Sequence, residues 1–363
     1  MSLVKQRKTT RRITVGDVPV GGGSPIAVQS MTNTFTRDVD ATVAQIKRLA
    51  QAGCEIVRVA VPDMESASAI GEIVPRITIP LIADIHFDYK LALASARAGA
   101  QGLRINPGNI GDGHKIKAVA DCAKSLGISI RVGVNSGSLE RSIVEKMGSG
   151  APAMVESALA NIRILRDMDF HDIKVSLKAS DVPRTVEAYR LISERTDTPL
   201  HVGVTEAGGL FPGITKSALG IGMILAEGIG DTIRVSLTRD PAEEVRVAWE
   251  ILRSLGLRSR GPEIISCPTC GRCRIDLFDV AHRVEEALLN CPASIKVAIM
   301  GCAVNGPGEA READIGIAGG DGNAVLFKNG RVVRKIDQEN MVRELLEEIE
   351  QILGDPFLNC DPA

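Results

Sequence analysis

Ile128-Ser-Ile-Arg-Val-Gly-Val-Asn135 is the stretch whose reading decides the fold. Successive side chains of a strand point to opposite faces, so Ile128, Ile130, Val132 and Val134 share one face and Ser129, Arg131, Gly133 and Asn135 the other. A branched apolar face asks for a packed neighbour, and a polar face carrying an arginine asks for water or a ligand. Working outward, the same kind of run recurs. Eight can be read, at 26–30, 56–61, 81–86, 102–106, 128–135, 173–178, 200–205 and 232–238. Between them lie segments of helical periodicity such as 39–52 and 242–255, the signature of repeated βα units and a parallel sheet. Eight such units in about 250 residues is the count and size of a (β/α)8 TIM barrel. The one long excursion, 138–152, follows the fifth run and reads as a loop on the active-site face.

The pattern changes after Gly256. Residues 257–262 are basic and contain glycine, as a linker would, and beyond them short strands are joined by Gly-rich turns. The expected organisation is a substrate-binding barrel over residues 1–260 and a small α+β domain over 261–363. The small domain should carry strands at 296–300, 313–317, 324–327 and 332–336 and helices at 279–290 and 339–353.

Composition narrows the class. The 363 residues are 44% apolar and 24% charged with 36 glycines, a globular composition. Lys and Arg number 43 against 45 Asp and Glu, a net charge of −2 that gives no overall pull toward nucleic acid or an anionic membrane. No apolar run reaches the roughly 18 residues of a membrane span; the best, 218–230, is broken by Glu227 and holds four glycines. The basic N-terminus has no apolar segment behind it, so a cytoplasmic protein is expected.

Parity sorts the remaining strands as it sorted the first. Arg58 lies opposite Val57 and Val59, Asp84 and His86 opposite Ala83 and Ile85, Arg104 and Asn106 opposite Leu103 and Ile105, and Lys174, Ser176 and Lys178 opposite Val175 and Leu177. His201 and Thr205, then Arg234, Ser236 and Thr238, continue the series, with Glu206 just past the seventh run. Barrel interiors are usually filled by branched apolar side chains, and here those form the other face. Six inward cations, Arg58, Arg104, Arg131, Lys174, Lys178 and Arg234, face Asp84 and Glu206. Buried unpaired cations cost several kcal/mol, so a polyanionic ligand is their natural counterpart, and the planar arginine fork suits phosphate. The plainer alternative is internal salt bridges, and Lys174, deepest in its strand, is the best candidate for a structural role. His86 and His201 lack the partners of a metal site and read as hydrogen-bonding residues. Gly220-x-Gly222 lacks the third glycine of a dinucleotide loop.

Eight cysteines include five between Cys267 and Cys302, more like an intracellular metal site than a disulfide framework. Cys267-Pro-Thr-Cys270-Gly-Arg-Cys273 has the spacing at which two thiolates reach one metal centre. No second Cys-x-x-Cys follows as a zinc ribbon requires, so an iron–sulfur cluster fits better, with structural zinc the alternative. Cys302, in Gly301-Cys-Ala-Val-Asn-Gly-Pro-Gly-Glu309, could bring a third thiolate and an oxygen ligand; by spacing alone Cys273 or Cys291 serves equally.

At Cys267-Pro-Thr-Cys-Gly-Arg272 and at 301–309 the chain closely resembles the bacterial two-domain 4-hydroxy-3-methylbut-2-enyl diphosphate synthases of the methylerythritol phosphate route to isoprenoids. Val28-Gln-Ser-Met-Thr-Asn-Thr34, Ala83-Asp-Ile-His86, Leu103-Arg-Ile-Asn-Pro-Gly-Asn109 and Arg131-Val-Gly-Val-Asn135 extend the resemblance over nearly the whole chain. The resemblance implies a TIM barrel followed by a domain similar to the cluster domains of nitrite and sulfite reductases. It also implies an oxidoreductase that reduces and ring-opens 2-C-methyl-D-erythritol 2,4-cyclodiphosphate, with loss of water, at a [4Fe-4S] cluster. The implied cluster ligands are Cys267, Cys270, Cys302 and Glu309. The implied diphosphate contacts are Arg58, Arg104, Arg131, Asn135, Lys178, Thr205, Arg234 and Ser236, with Glu206 as the barrel glutamate and proton donor. Parity points independently to all of these but Glu206, and adds Asp84, His86 and Asn106 as candidate substrate-binding residues. Flavodoxin or ferredoxin would supply electrons, and a head-to-tail homodimer is implied. Reductive removal of a hydroxyl needs electrons that no side chain supplies, which is why a cluster is called for. Two rival classes remain: a redox-inactive barrel for a pterin or sugar phosphate with a zinc-stapled small domain, and an iron–sulfur sensor, which would need a basic DNA-binding segment.

Overall fold

The computed structural model describes residues 3–302 and 310–354. The chain forms two compact units, Met1–Arg258 and Ser259–Ala363.

The first unit opens with a hairpin, β1 (Ile13–Val15) and β2 (Val18–Val20), joined by the two-residue turn Gly16-Asp17, where Gly16 takes φ +58°. Eight parallel strands follow: β3 (Ala27–Met31), β4 (Ile56–Ala60), β5 (Leu81–Asp84), β6 (Gly102–Ile105), β7 (Ser129–Asn135), β8 (Ile173–Lys178), β9 (His201–Val202) and β10 (Thr232–Ile233). Their order is β8-β7-β6-β5-β4-β3-β10-β9, and a parallel bridge between Val175 and Leu200 brings β8 back to β9, a nearly closed barrel. The expected eightfold βα architecture is what the chain adopts.

Six of the barrel helices start on an aspartate whose carboxylate accepts from a backbone N–H of the first turn. Asp38 takes Ala41, Asp63 Ser66, Asp88 Lys90, Asp112 Lys115, Asp181 Arg184 and Asp240 Ala242. Each such cap stabilises its helix by about 1 kcal/mol. The branched residues of the outward parity, among them Val57, Val59, Leu103, Ile105, Ile130, Val132, Val175 and Leu177, are fully buried against the helical jacket. At the lower end of the interior, Ala27, Ile56 and Ile82 pack on Ile13, Val15 and Val20, so the hairpin plugs the barrel.

The strands differ from expectation at the closing edge. Runs 200–205 and 232–238 pair only as His201–Val202 and Thr232–Ile233. A Cβ on Gly203 would lie 2.4 Å from Arg234 O, so the backbones crowd there. Beyond it the amides leave the ladder, Thr205 N for Ala179 O (3.1 Å) and Leu237 N for the Glu244 carboxylate (3.0 Å). The excursion at 138–152, expected as loop, contains the helix Arg141–Met147 and the start of Ala151–Asp167.

The second unit is a five-stranded mixed sheet, β11 (Glu263–Ser266), β12 (Lys296–Met300), β13 (Ile315–Gly319), β14 (Asn323–Lys328) and β15 (Arg331–Asp337), in chain order. The first three strands run parallel and the last two pairings are antiparallel. Residues 263–266, not among the expected strands, form an edge strand. The helices Leu277–Ala287 and Met341–Leu353 bury Val280, Val284, Leu345 and Ile349 against Val297, Ile299, Ile315 and Ile317.

Candidate active site

Strand register sets the inward cations side by side: Asp84 beside Arg104, Arg104 beside Arg131, Arg131 beside Lys174. Arg58, Arg104, Arg131, Lys174 and Lys178 are all buried, and the Arg234 side chain is 16% exposed. Two glycines make room. A Cβ on Gly133 would meet Arg104 Nε at 2.5 Å, and one on Gly203 would meet Lys178 Nζ at 2.9 Å, so any side chain there would displace a cation.

Two carboxylates answer this charge. Asp84 holds Arg104 Nη1 at 3.1 Å and Arg58 Nε at 3.4 Å. Burial pushes the Asp84 carboxyl up, but Arg58, Arg104 and Arg131 outweigh it and hold the group below its ordinary value. Glu244, from the first turn of the helix Pro241–Ser254, reaches Arg234 Nη2 at 3.4 Å and Ser30 Oγ at 3.3 Å. Arg131, Lys174 and Lys178 have no carboxylate partner among the described residues. Arg104 Nε, Arg131 Nε and Nη1, Lys174 Nζ and Arg234 Nε are buried without a hydrogen-bond partner. Burial first, then the neighbouring guanidiniums, push Arg131 and Lys178 well below their usual ranges, bring Arg58 to about 10 and Lys174 to about 7. His201, buried 3.3 Å from Lys178 Nζ and 2.8 Å from Thr232 Oγ1, is held neutral by burial and by Lys178. Buried donors of this kind suit an anion, which would meet their charge and their hydrogen bonds together.

The other expected residues are distributed around the rim. Asn135 ends β7, half-buried; Thr205 and Ser236 follow the short strands β9 and β10, also half-buried. Asn106 is buried and caps the turn Pro107–Ile110 by accepting from Gly108 N at 3.2 Å. His86 is exposed, with Nδ1 3.1 Å from Arg104 Nη1. Glu206 is exposed and has φ +52°, a left-handed conformation that costs a non-glycine residue about 1–3 kcal/mol and concentrates at functional sites. Met31 and Glu244 escaped the sequence reading, although both touch the cations. Register marks Met31, the inward partner of Arg58, whereas Glu244 reads in one dimension only as a first-turn acid.

In the second unit the turn after β11 carries Cys267, Cys270 and Cys273. Gly301 N donates to Cys267 Sγ at 3.3 Å, which puts the residue before Cys302 on the first cysteine of the turn. A Cβ on Gly301 would lie 2.6 Å from Cys273 Sγ and 3.5 Å from Cys267 Sγ, so the turn closes only over glycine. Cys270 is exposed, and its thiol is lowered chiefly by a hydrogen bond from the Arg272 backbone. Cys273 donates to Ile275 O at 3.3 Å, and Cys291 is buried in the apolar core. Among the described residues no three His, Cys, Asp or Glu side chains converge on one point; Glu309 lies outside them. Cys267 and Cys270 in one turn, with Cys302 next to the glycine that donates to Cys267, are donors of the soft kind that an iron–sulfur centre takes.

A parallel barrel with an anion-seeking mouth, joined to a small cysteine-bearing α+β unit, defines a class of two-part enzymes, and the sequence comparisons narrow it to one family. Residues 10–249 match the GcpE TIM-barrel domain and residues 263–351 the GcpE protein C-terminal domain. The 4-hydroxy-3-methylbut-2-en-1-yl diphosphate synthase (flavodoxin) of Ruminiclostridium cellulolyticum is 58% identical over 348 residues, 96% of this chain and 99% of that protein. The protein of the same name from Geobacter sulfurreducens is 58% identical over 347 residues, 95% of this chain and 98% of that one. The chain belongs to this family of 4-hydroxy-3-methylbut-2-en-1-yl diphosphate synthases. Among solved structures, dihydropteroate synthase from Yersinia pestis superposes with a TM-score of 0.50 at 13% identity, covering 68% of this chain and 98% of that one, a likeness of fold alone. No helix among the described residues is long and apolar enough to cross a membrane.

Proposed function

We propose that the inward cations bind the diphosphate of 2-C-methyl-D-erythritol 2,4-cyclodiphosphate and that Cys267, Cys270, Cys302 and Glu309 hold a [4Fe-4S] cluster. As a member of its family the chain is an oxidoreductase that forms 4-hydroxy-3-methylbut-2-en-1-yl diphosphate in isoprenoid synthesis. The observation that carries the substrate reading is the set of orphaned donors on Arg104, Arg131 and Arg234, buried and on the inward parity. Asn135, Thr205 and Ser236 are at the same mouth and suit the remaining phosphate oxygens as neutral donors. Asp84 and Glu244 hold the guanidiniums from the side, His86 supports Arg104, and Asn106 shapes the turn beside them.

Glu206 is the proton donor in this reading. Its exposed carboxyl stands on a strained backbone at the mouth and would deliver its proton to the departing hydroxyl, which leaves as water. Held by Cys267, Cys270, Cys302 and Glu309, a [4Fe-4S] cluster would supply the electrons, one at a time. The chain's part there is to present its thiols: Gly301 N donates to Cys267 Sγ, and the Arg272 backbone lowers the Cys270 thiol. The bond from Cys273 to Ile275 O and the burial of Cys291 support leaving those two out of the ligand set. Flavodoxin is the proposed electron donor, as the relatives' names suggest. A head-to-tail homodimer is the proposed assembly, and seven free cysteines among the described residues suit the reducing cytoplasm.

The test is anaerobic. Protein purified without oxygen should be brown, contain iron and sulfide, and turn over the cyclodiphosphate with reduced flavodoxin. Cys302→Ser should lose most of its iron, whereas Cys273→Ser and Cys291→Ser should keep it. A colourless protein with one zinc, or full iron in Cys302→Ser, would sink the ligand assignment.

A further inference from the structure

The geometry points to Met31 as a positioning residue that holds Arg58 and Arg234 side by side while adding no negative charge between them, so that the cluster's excess of cations over carboxylates is met by a diphosphate. Met31 ends β3, the strand between β4, which carries Arg58, and β10, which leads into Arg234. Its Sδ lies 3.0 Å from Arg58 Nη2, 3.2 Å from Arg58 Nε and 3.7 Å from Arg234 Nη1. Two guanidiniums that repel one another thus share a single acceptor.

The choice of acceptor is the point. Each arginine also meets a carboxylate, Arg58 through the Nε it shares with Met31, at Asp84, and Arg234 through Nη2, at Glu244. Between them, where a third carboxylate would complete a salt-bridge network, stands a thioether. Sulfur is polarisable and a weak acceptor, so it orients N–H groups while cancelling no charge. Arg234 Nε remains buried and unpartnered beside it. Burial and the mutual repulsion of Arg58, Arg234 and Arg104 already press on Arg58, so anionic oxygens laid across the pair relieve more than one cation at once.

The inference rests on the diphosphate reading of the barrel mouth, and one titration series separates the two. Inorganic pyrophosphate is titrated calorimetrically into the anaerobically purified holoprotein, with circular dichroism and melting temperature recorded for each variant. Met31→Leu keeps the volume but removes the acceptor, and should weaken binding about 3- to 10-fold, the scale of a weak hydrogen bond repeated over two partners. Met31→Gln restores a neutral acceptor and should bind more tightly than Met31→Leu. Met31→Glu neutralises the pair internally and should weaken binding about 10- to 100-fold, as losing a charge-assisted contact does, with the melting temperature unchanged or raised. In the turnover assay Met31→Leu should raise KM while leaving kcat near that of the parent. Wild-type affinity in Met31→Leu or Met31→Glu, or Met31→Gln no better than Met31→Leu, overturns the role of Met31. Failure of the unaltered protein to bind pyrophosphate, or unaltered binding in Arg58→Ala, overturns the diphosphate reading and this inference with it.

Discussion

The two ends of the barrel interior are built on opposite principles from the same strands. On β4, Ile56 and Arg58 share the inward face and stand one pleat apart, about 7 Å along the strand. Ile56 packs with Ile82, Ala27 and the hairpin residues Ile13, Val15 and Val20, whereas Arg58 enters a cluster with more cations than carboxylates. The lower end behaves as an ordinary core and contributes stability. On the diphosphate reading the upper end subtracts from stability, and a bound anion would return that cost. Both occupy one pore, so stability and binding should be separable by changing one layer at a time.

The largest expected effect belongs to the mouth. Glu206→Gln should lower turnover by about 100- to 10,000-fold, the usual share of a general acid, with binding and melting temperature preserved; near-normal turnover would remove Glu206 from proton transfer. At the lower end, Ile82→Ala should cost about 2–5 kcal/mol in chemical denaturation through the cavity left behind, with pyrophosphate affinity unchanged. Loss of affinity alongside stability would show that the two layers are coupled.

Arg131→Met reverses that pattern. Replacing a buried, incompletely paired cation with an apolar group should raise the melting temperature, while pyrophosphate binding weakens by about 1.5–3 kcal/mol, the worth of a hydrogen bond to a charged group. A destabilised Arg131→Met would mean that the cations hold the barrel together. A further expectation concerns pH. Lys174 sits at about 7 in the folded chain because of burial, against about 10.4 when unfolded. Between those values the unfolded state binds more protons, so this residue's penalty is full below pH 7 and fades as pH rises toward 10. Lys174→Met should therefore gain stability over the parent at pH 7 and progressively less at pH 9 and above, measured by thermal melts; a pH-independent gap would count against the assignment.

The alternation of 128–135 and its fellows made the barrel legible because one period carried both faces. The hairpin at Ile13–Val20 was equally written, as alternating apolar residues about Gly16-Asp17, but Pro19 inside a strand obscures it. Strands β9 and β10 were overextended because side-chain pattern continues where pairing stops, and pairing stops on a backbone approach at Gly203 that no pattern records. Parity found the inward cations. It could not find Glu244, which arrives from a helix, or distinguish Arg104, which Asp84 holds, from Arg131, which no carboxylate among the described residues holds. Glu309 lies outside the described residues, and its place in the ligand set rests on the family resemblance.

The nearly closed barrel has a seam. Between β8 and β9 the pairing is the single bridge Val175 to Leu200, with Val175 N on Pro199 O at 2.9 Å and Thr205 N on Ala179 O at 3.1 Å. A ladder so sparse is where the wall should breathe, and its amides should exchange with solvent sooner than those of β6 and β7. Lys178 stands on one bank of the seam and Thr205 on the other. A ligand fastened to both would act as a clasp, so occupancy of the pore should be readable at its wall, as slowed hydrogen exchange along 175–179 and 200–205.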